Sequence, residues 1–221
     1  MDKTITLHPS IMCVDYWRIQ EEVSELIRAG ADYFHVDVMD GSFVPNFACG
    51  PETVKCLKKY TNTPLDVHLM IDEPGEHVKL FADLGAAAIT IHPEADSHPS
   101  RTLIKIREMN IIPGIAINPC TSIEMVKELF PLCEHVLVMT VNPGFAGQAF
   151  LEFTLDKIKV LANYRDNFSI WVDGAISPDR LRQLRSCGVS GFVLGTASLF
   201  GKGDYVKIME ELRNPNLLSK G

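Results

Sequence analysis

The 221-residue sequence lacks the long apolar segment that a membrane-spanning helix requires. Such a helix needs roughly 18 consecutive apolar residues, and no apolar run in this chain approaches that length. The start at Met1 also lacks the basic stretch followed by an apolar stretch that is typical of a secretory signal. We therefore expect a cytoplasmic protein with no membrane partner.

The cysteines do not show the spacing that is typical of metal ligands. The six cysteines are scattered, with no CxxC pair and no zinc-finger pattern. A disulfide framework is not expected in a cytoplasmic chain of this length. We expect six free thiols.

Basic residues are fewer than acidic residues. The sequence has 21 Lys and Arg and 28 Asp and Glu, which gives a formal net charge of -7 at pH 7. This balance gives no general attraction to nucleic acid or to an anionic membrane surface, so we expect neither partner. An anionic substrate has to be held by local groups against this field. The whole sequence has 46% hydrophobic and 22% charged residues. This composition is typical of a globular protein with one sizeable core.

Apolar strand-like runs alternate with amphipathic helical stretches along the whole chain. Strands are predicted over residues 5–9, 33–39, 65–70, 88–92, 112–117, 135–140, 169–172 and 191–194. Helices are predicted over residues 16–29, 50–60, 74–84, 101–109, 123–129, 151–163, 178–186 and 204–213, and Gly30, Gly85 and Gly188 follow three of them as C-terminal caps. Eight such units without a break in composition favour an α/β fold, a single (β/α)8 TIM barrel formed by one domain of residues 1–221, over a doubly wound open sheet.

Polar residues at the C-terminal ends of the predicted strands carry the functional signal, because the reactive groups of such barrels lie there. His35 and Asp37 lie two residues apart in an apolar run, so both side chains point to the same side of the strand. His68 and Asp173 end the third and seventh predicted strands. Two imidazoles and two carboxylates suit Zn²⁺, Fe²⁺ or Mn²⁺ with an open position for a substrate oxygen. The alternatives are a metal-free acid/base pair, or separate structural roles as core histidines and helix-capping aspartates.

Three glycine-containing loops, after the sixth, seventh and eighth predicted strands, indicate an anion site. Such loops expose backbone N–H groups, and the phosphate site of many barrels follows strands seven and eight. Turns also need glycine for conformational reasons alone. No Lys or Arg lies in these loops, so binding would depend on backbone donors. The residues concerned are Gly144, Phe145, Ala146, Gly147, Gly174, Ala175, Gly195, Thr196 and Ala197.

Methionine recurs near the ends of four predicted strands, at Met12, Met39, Met70 and Met139. Methionine usually fills gaps in a core, and that role is sufficient to explain its presence. An apolar floor that keeps water away from a reactive intermediate is the second interpretation.

Four segments carry a recognisable pattern: residues 35–46 read HVDVMDGSFVPN, residues 66–70 read DVHLM, residues 139–150 read MTVNPGFAGQAF and residues 172–174 read VDG. These segments resemble the ribulose-phosphate 3-epimerase family. They occur in the order of the family, and the likeness runs from about residue 9 to residue 200. The resemblance implies a (β/α)8 barrel, an epimerase acting on ketose phosphates, and a homo-oligomer.

The resemblance also implies one divalent metal ion per subunit (Zn, Fe, Mn, Co or Mg), bound by His35, Asp37, His68 and Asp173. Asp37 and Asp173 would be the two catalytic groups. Inverting carbon 3 requires that a proton next to the C2 carbonyl be removed and one be returned from the opposite face, through an enediolate.

The remaining implied roles concern the substrate. Ser10 and His68, with the three glycine-containing loops, would hold the hydroxyls and the phosphate. Met39, Met70 and Met139 would shield the intermediate from water.

Small differences in the loops bear on the sugar. This chain has Ala146, Ala175 and Thr196 where ribulose-phosphate epimerases typically carry Gly, Gly and Ser, and these variants resemble the branch that acts on D-allulose 6-phosphate. Asn142 is instead typical of the ribulose branch. The expected reaction is D-allulose 6-phosphate to D-fructose 6-phosphate, and the alternative is D-ribulose 5-phosphate to D-xylulose 5-phosphate.

Two other classes fit the sequence less well. A metal-dependent decarboxylase or aldolase on a phosphate-binding barrel usually carries a Lys at a strand end, and no predicted strand end here does. A catalytically silent scaffold barrel is expected to have lost a metal ligand, and all four ligands are present.

Overall fold

The computed structural model describes residues 5–164 and 167–214, and the predicted domain of residues 1–221 extends beyond these ranges. Within them, nine strands form one sheet: β1 (Thr6–Pro9), β2 (Phe34–Asp40), β3 (Phe47–Ala48), β4 (Leu65–Met70), β5 (Ala88–Ile91), β6 (Ile112–Ile117), β7 (His135–Met139), β8 (Ser169–Asp173) and β9 (Gly191–Leu194). The α-helices are α1 (Ile19–Arg28), α2 (Pro51–Tyr60), α3 (Val78–Asp83), α4 (Pro99–Glu108), α5 (Ile123–Val126), α6 (Thr154–Leu161), α7 (Pro178–Ser186) and α8 (Tyr205–Arg213).

The sheet order is β1-β9-β8-β7-β6-β5-β4-β2-β3, and neighbours are parallel except for β3, which pairs antiparallel with the end of β2. The two sides of the sheet meet where Ser10 forms a parallel bridge with His35. Nearby, the backbone N–H of Asp32 donates to the carbonyl of Leu7 at 3.1 Å. The sheet thus curls into an eight-stranded parallel barrel with helices outside, which confirms the predicted (β/α)8 fold. The two-residue β3 was missed because so short a strand carries no pattern.

Side chains alternate between two apolar layers along each strand, as expected for a period of two. In β7, Val136 and Val138 belong to the large core between the sheet and the helices, whereas Leu137 and Met139 point into the barrel. In β8, Trp171 joins this interior cluster. The same alternation places Asp173, two residues further on, on the interior side at the end of its strand.

Glycine ends three of the helices as predicted. Gly30, Gly85 and Gly188 have φ values of 79°, 95° and 94°, in the left-handed region that a helix C-terminal cap requires. At the other end, the Ser177 side chain accepts a hydrogen bond from the backbone N–H of Arg180 at 3.3 Å and caps α7.

Several predicted helices are interrupted in the structure. The helix predicted over residues 74–84 is a 3₁₀ turn, Pro74–Glu76, followed by α3. The helix predicted over residues 123–129 stops at Val126 and continues as the 3₁₀ segment Lys127–Leu132, in which Pro131 has no N–H to donate. Such local breaks leave the β/α order unchanged.

No helix in the described parts of the chain has the length and apolar character that crossing a membrane requires.

Candidate active site

The neighbouring strands β2 and β4 bring the predicted ligands together. Their parallel register pairs Asp37 with His68, and His35 lies two residues before Asp37 on the same side of β2. Asp173 ends β8, where it pairs with Met139 at the end of β7. The four side chains therefore converge at the C-terminal end of the barrel.

One atom from each of His35, Asp37, His68 and Asp173 lies within 4.8 Å of the others. Asp37 Oδ1 is 3.1 Å from His35 Nε2 and 3.2 Å from His68 Nδ1, and Asp173 Oδ2 is 4.0 Å from His35 Nε2. The two imidazoles are fully buried, whereas the Asp173 side chain is 18% exposed. Two imidazole nitrogens and two carboxylates on one small volume fit a divalent cation.

The residues of the cluster shift one another's pKa values. Burial opposes charge on Asp37, but His35 and His68 outweigh it and hold the pKa of this carboxyl well below its ordinary value. Burial and the charge of Asp37 raise the pKa of Asp173 to about 7. Burial also opposes charge on His35, yet Asp37 and Asp66 raise the pKa of His35 well above its usual range. Asp173 and His35 therefore bind a proton more readily in the fold than they do in water.

Asp66 contacts the cluster through His35. Its Oδ2 accepts a hydrogen bond from His35 Nδ1 at 2.7 Å and lies 3.3 Å from His8 Nδ1, and Thr90 Oγ1 donates to its Oδ1 at 3.4 Å. Because Nδ1 donates to this carboxylate, Nε2 is the nitrogen of His35 that faces Asp37 and Asp173. Metal-ligating histidines commonly donate their second N–H to a carboxylate in this way.

Ser10 contacts the cluster directly. Its Oγ donates to Asp37 Oδ2 at 2.7 Å. This bond leaves Oδ1 of Asp37 for the two imidazoles, so each carboxylate oxygen has a defined partner.

A cavity of about 280 Å³ opens above the cluster. Asp37 and Asp173 form part of its wall, while His68 lies outside the lining and is fully buried. Every other residue predicted to touch substrate lines this cavity, namely Ser10, Gly144, Phe145, Ala146, Gly147, Gly174, Ala175, Gly195, Thr196 and Ala197.

The loops after β8 and β9 form part of the wall of this cavity. Leu199 N–H donates to the carbonyl of Gly195 at 3.0 Å, which forms a helical turn whose first N–H groups have no partner inside the turn. Gly174 has a φ of 112°, and a Cβ there would lie 2.5 Å from Val141 Cγ2. Ala175 follows with a φ of 53°, a conformation that costs an L-residue about 1–2 kcal/mol. None of the described residues lining the cavity is Lys or Arg.

The four methionines lie where the sequence predicts them. Met12, Met39, Met70 and Met139 all line the cavity, and Met39 and Met70 form a separate buried cluster with Val44. The methionines therefore give part of the cavity wall an apolar surface.

The cavity also contains residues that sequence reasoning did not select. Four of them are Cys13, Val141, Ile176 and Val193. Because their side chains are uncharged and mostly apolar, the sequence does not distinguish them from core residues. Gln148 also lines the cavity and holds its loop together, since its Nε2 donates to the carbonyls of Asn142 at 2.5 Å and Phe145 at 2.9 Å. The loop after β2 contacts the loop that contains Gly144, because Asn46 Nδ2 donates to the Gly144 carbonyl at 2.7 Å.

Comparisons with known proteins agree with this architecture. A model of the Ribulose-phosphate 3 epimerase family matches residues 6–199. Ribulose-phosphate 3-epimerase of Synechocystis is 40% identical over 220 residues, covering 97% of this chain and 95% of the relative. The enzymes of the same name from Bacillus subtilis and Escherichia coli K12 are each 37% identical and cover 95% and 96% of this chain, and 98% and 96% of their own lengths.

Solved structures give the fold independently. The 3-hexulose-6-phosphate synthase of Salmonella typhimurium superimposes with a TM-score of 0.74 at 15% identity, covering 97% of this chain and 99% of that one. The thiamine phosphate pyrophosphorylase of Pyrococcus furiosus gives 0.66 at 16% identity, with coverage of 100% and 99%. At these identities the likeness concerns the barrel alone.

Proposed function

The chain belongs to the ribulose-phosphate 3-epimerase family, and we propose that it interconverts D-ribulose 5-phosphate and D-xylulose 5-phosphate with a divalent metal ion. We infer that His35, Asp37, His68 and Asp173 hold the ion. The observation that carries this proposal is the convergence of these four side chains within 4.8 Å beneath one cavity.

Asp37 and Asp173 are the proposed proton carriers. They stand on different strands, β2 and β8, and both line the cavity. In one direction the first carboxylate takes the proton from carbon 3 of the ketose, and the electron pair of the C–H bond moves into the enediolate. The second carboxyl group then gives a proton to the opposite face of carbon 3, which inverts the centre. In the reverse reaction the two groups exchange roles.

A bound divalent ion would polarise the substrate carbonyl and stabilise the negative charge that develops on its oxygen. Ser10 keeps the Asp37 carboxylate in one orientation through the 2.7 Å hydrogen bond to Oδ2. The methionines exclude water from the side of the cavity that they line, and the turn at Gly195 presents N–H groups to the phosphate.

The choice of sugar follows the relatives. The sequence variants Ala146, Ala175 and Thr196 suggest D-allulose 6-phosphate, but the curated relatives at 37–40% identity carry the name ribulose-phosphate 3-epimerase. The variants line the cavity yet add only methyl groups and no new charged group. We therefore place the five-carbon substrate first. The homo-oligomer stays a prediction from the family resemblance.

Coupled kinetics on both sugars test the proposal. The protein reconstituted with Mn²⁺, Co²⁺ or Zn²⁺ should show the higher kcat/KM with D-ribulose 5-phosphate. A higher kcat/KM with D-allulose 6-phosphate would reverse the substrate assignment. Removal of the metal with a chelator should abolish turnover, and full activity of metal-free protein would contradict the metal site.

A further inference from the structure

A second histidine lies behind His68, on the side away from Asp37. His92 follows β5, and its Nε2 is 2.9 Å from His68 Nε2. Its other ring nitrogen, Nδ1, lies 3.6 Å from Oε2 of Glu94, in the 3₁₀ turn Pro93–Ala95. Both rings are fully buried, and the Glu94 side chain is 21% exposed. A continuous row of side chains therefore runs from the ligand cluster to Glu94.

The short contact between the two rings fixes the position of a proton. Two neutral imidazoles at 2.9 Å share one N–H, so one nitrogen donates and the other accepts. A histidine nitrogen that binds a cation has to be unprotonated. Because His68 turns Nδ1 towards Asp37, the form that can bind a cation carries its proton on Nε2 and donates it to His92.

This form requires that His92 carry its own proton on Nδ1. Among the described residues, Nδ1 of His92 is buried and has no hydrogen-bond partner at normal distance. The nearest carboxylate to it is Glu94, whose Oε2 faces it at 3.6 Å. In the opposite arrangement His68 would be protonated on Nδ1, where it would donate to Asp37 and have no lone pair for a cation.

Glu94 is itself held in place. Its Oε1 accepts hydrogen bonds from Thr121 Oγ1 and from the backbone N–H of Asn118, the latter at 3.1 Å, which leaves Oε2 for His92. Burial opposes its charge, but His92 and these donors hold the pKa of Glu94 at about 2. The ring of Phe43 packs on His92 with centroids 4.8 Å apart and limits rotation of the imidazole.

We propose that Glu94 and His92 are positioning residues that select the tautomer of His68 and so direct its Nδ1 lone pair to the divalent ion. This inference rests on the proposed function, because the tautomer matters only if His68 is a metal ligand. Neither residue lines the cavity, so the effect on substrate would be indirect.

Zn²⁺ affinity measured by competition with a chromophoric chelator tests the proposal. Glu94→Gln keeps the size of the side chain but offers an amide N–H to His92, which favours the wrong tautomer. It should weaken Zn²⁺ binding by about 10–100-fold, the range typical when a partner of a metal-ligating histidine is lost. His92→Phe removes the acceptor for His68 and should weaken binding by a similar factor.

Two variants serve as matched controls. Glu73→Gln alters an exposed carboxylate in the preceding loop that accepts hydrogen bonds from Ser97 rather than from a histidine. Glu73→Gln should bind Zn²⁺ as the wild type does. Thr121→Val removes one of the two donors to Oε1 of Glu94, but the Asn118 N–H and the carboxylate remain, so this variant should weaken Zn²⁺ binding far less than Glu94→Gln does. If Thr121→Val weakens binding as much as Glu94→Gln, the role of Glu94 is to hold the loop, and the proposal is wrong.

The tautomers can be read directly in ¹⁵N-histidine NMR spectra of the Zn²⁺-loaded wild type, which avoids dependence on the folding of any variant. His92 should be protonated on Nδ1 and His68 on Nε2. Protonation of His92 on Nε2 would overturn the inference. If the wild type binds Zn²⁺ and epimerises but Glu94→Gln binds equally tightly, only this inference fails. A wild type that binds no Zn²⁺ removes the proposed metal site and this inference with it.

Discussion

The barrel interior holds buried histidines in both halves, and the two halves use them differently. Near the C-terminal ends of the strands, His35 and His68 lie 3.1 Å and 3.2 Å from the Asp37 carboxylate, beneath the cavity. In the N-terminal half, His135 stacks on Trp171 with ring centroids 3.8 Å apart, and His8 meets the same indole at 4.5 Å. All four histidines are fully buried.

The N-terminal cluster, formed by His8, His135 and Trp171, fills space in the barrel interior. A Cβ on Gly114 would lie 1.9 Å from His135 Nε2, and one on Gly191 would lie 2.3 Å from Trp171 Cδ1. These glycines therefore make room for two large rings inside the barrel. His135 has a hydroxyl for a partner, Thr90 Oγ1 at 2.7 Å, and burial lowers the pKa of this imidazole to about 4.

The comparison shows that a buried histidine alone does not indicate a site. What separates the two halves is the number of carboxylates within reach and the access to a cavity. Asp66 lies between them, bonded to His35 on one side and close to His8 on the other.

The largest expected effect is loss of turnover in the C-terminal cluster. Asp37→Asn and Asp173→Asn should each lower kcat by at least about 100-fold, because an amide can neither take nor give the C3 proton. The coupled assay at saturating metal measures this. Asp32→Asn, which alters a carboxylate bonded to Leu7 N–H and Arg213, should leave kcat unchanged. Retention of more than about a tenth of the activity in either cluster variant would rule out the two-base assignment.

Asp66 tests the link between the two halves. Asp66→Asn should weaken Zn²⁺ binding by about 10–100-fold, since the charged acceptor of His35 Nδ1–H becomes a neutral amide that orients the ring less firmly. Chelator competition measures this dissociation constant. Thr90→Val removes the 3.4 Å hydrogen bond to Asp66 Oδ1 and the contact with His135 but leaves the bond between Asp66 and His35, so it should leave Zn²⁺ affinity unchanged. Equal affinity of Asp66→Asn and wild type would show that His35 needs no support from below.

Gly114→Ala tests the N-terminal half as a packing cluster. The added methyl group meets the His135 ring and should lower the free energy of unfolding by about 1–3 kcal/mol, the usual cost of overpacking. Urea denaturation gives this value. The kcat of the folded fraction should not change, and combining the change with His135→Val should restore stability. A loss of kcat at unchanged stability would mean that the two halves are coupled in function.

The last expected effect is a change in the pH dependence of stability, which is seen only when the pH is lowered. Because the pKa of His135 is lowered to about 4 in the fold, the unfolded chain binds this proton first as the pH falls. The contribution is complete above about pH 6.5 and is lost towards pH 4, by up to about 3 kcal/mol. Asp66 opposes this shift, and the nearby histidines add to it.

His135→Leu should therefore flatten the fall of Tm between pH 6.5 and pH 4, whatever its effect at neutral pH. Thermal melts across this range measure the slope. An unchanged slope would assign the acid sensitivity to another group.

The sequence was sufficient to predict the barrel and the convergence of the four proposed ligand residues. Strand alternation places His35 and Asp37 on one side, and the convergence of strand ends in a barrel brings in His68 and Asp173. Both steps depend on regular geometry, which the pattern of apolar residues encodes.

What the sequence did not reveal depends on side-chain rotamers and loop paths. The row from His68 through His92 to Glu94 requires that His68 turn Nε2 away from the cluster, and no spacing encodes that choice. The left-handed conformation of Ala175 was equally invisible, since glycine is the residue usually found there. Cys13 and Val141 line the cavity because of loop packing alone.

Epimerisation in D₂O tests the central claim most directly. If Asp37 and Asp173 act from opposite faces, the acid that reprotonates carbon 3 carries a solvent deuteron before each turnover. ¹H NMR should then show that D-xylulose 5-phosphate formed from D-ribulose 5-phosphate carries deuterium at C3 from the first turnovers. Product that retains the substrate proton at C3 would show that a single group removes and returns it, and would contradict the two-aspartate mechanism.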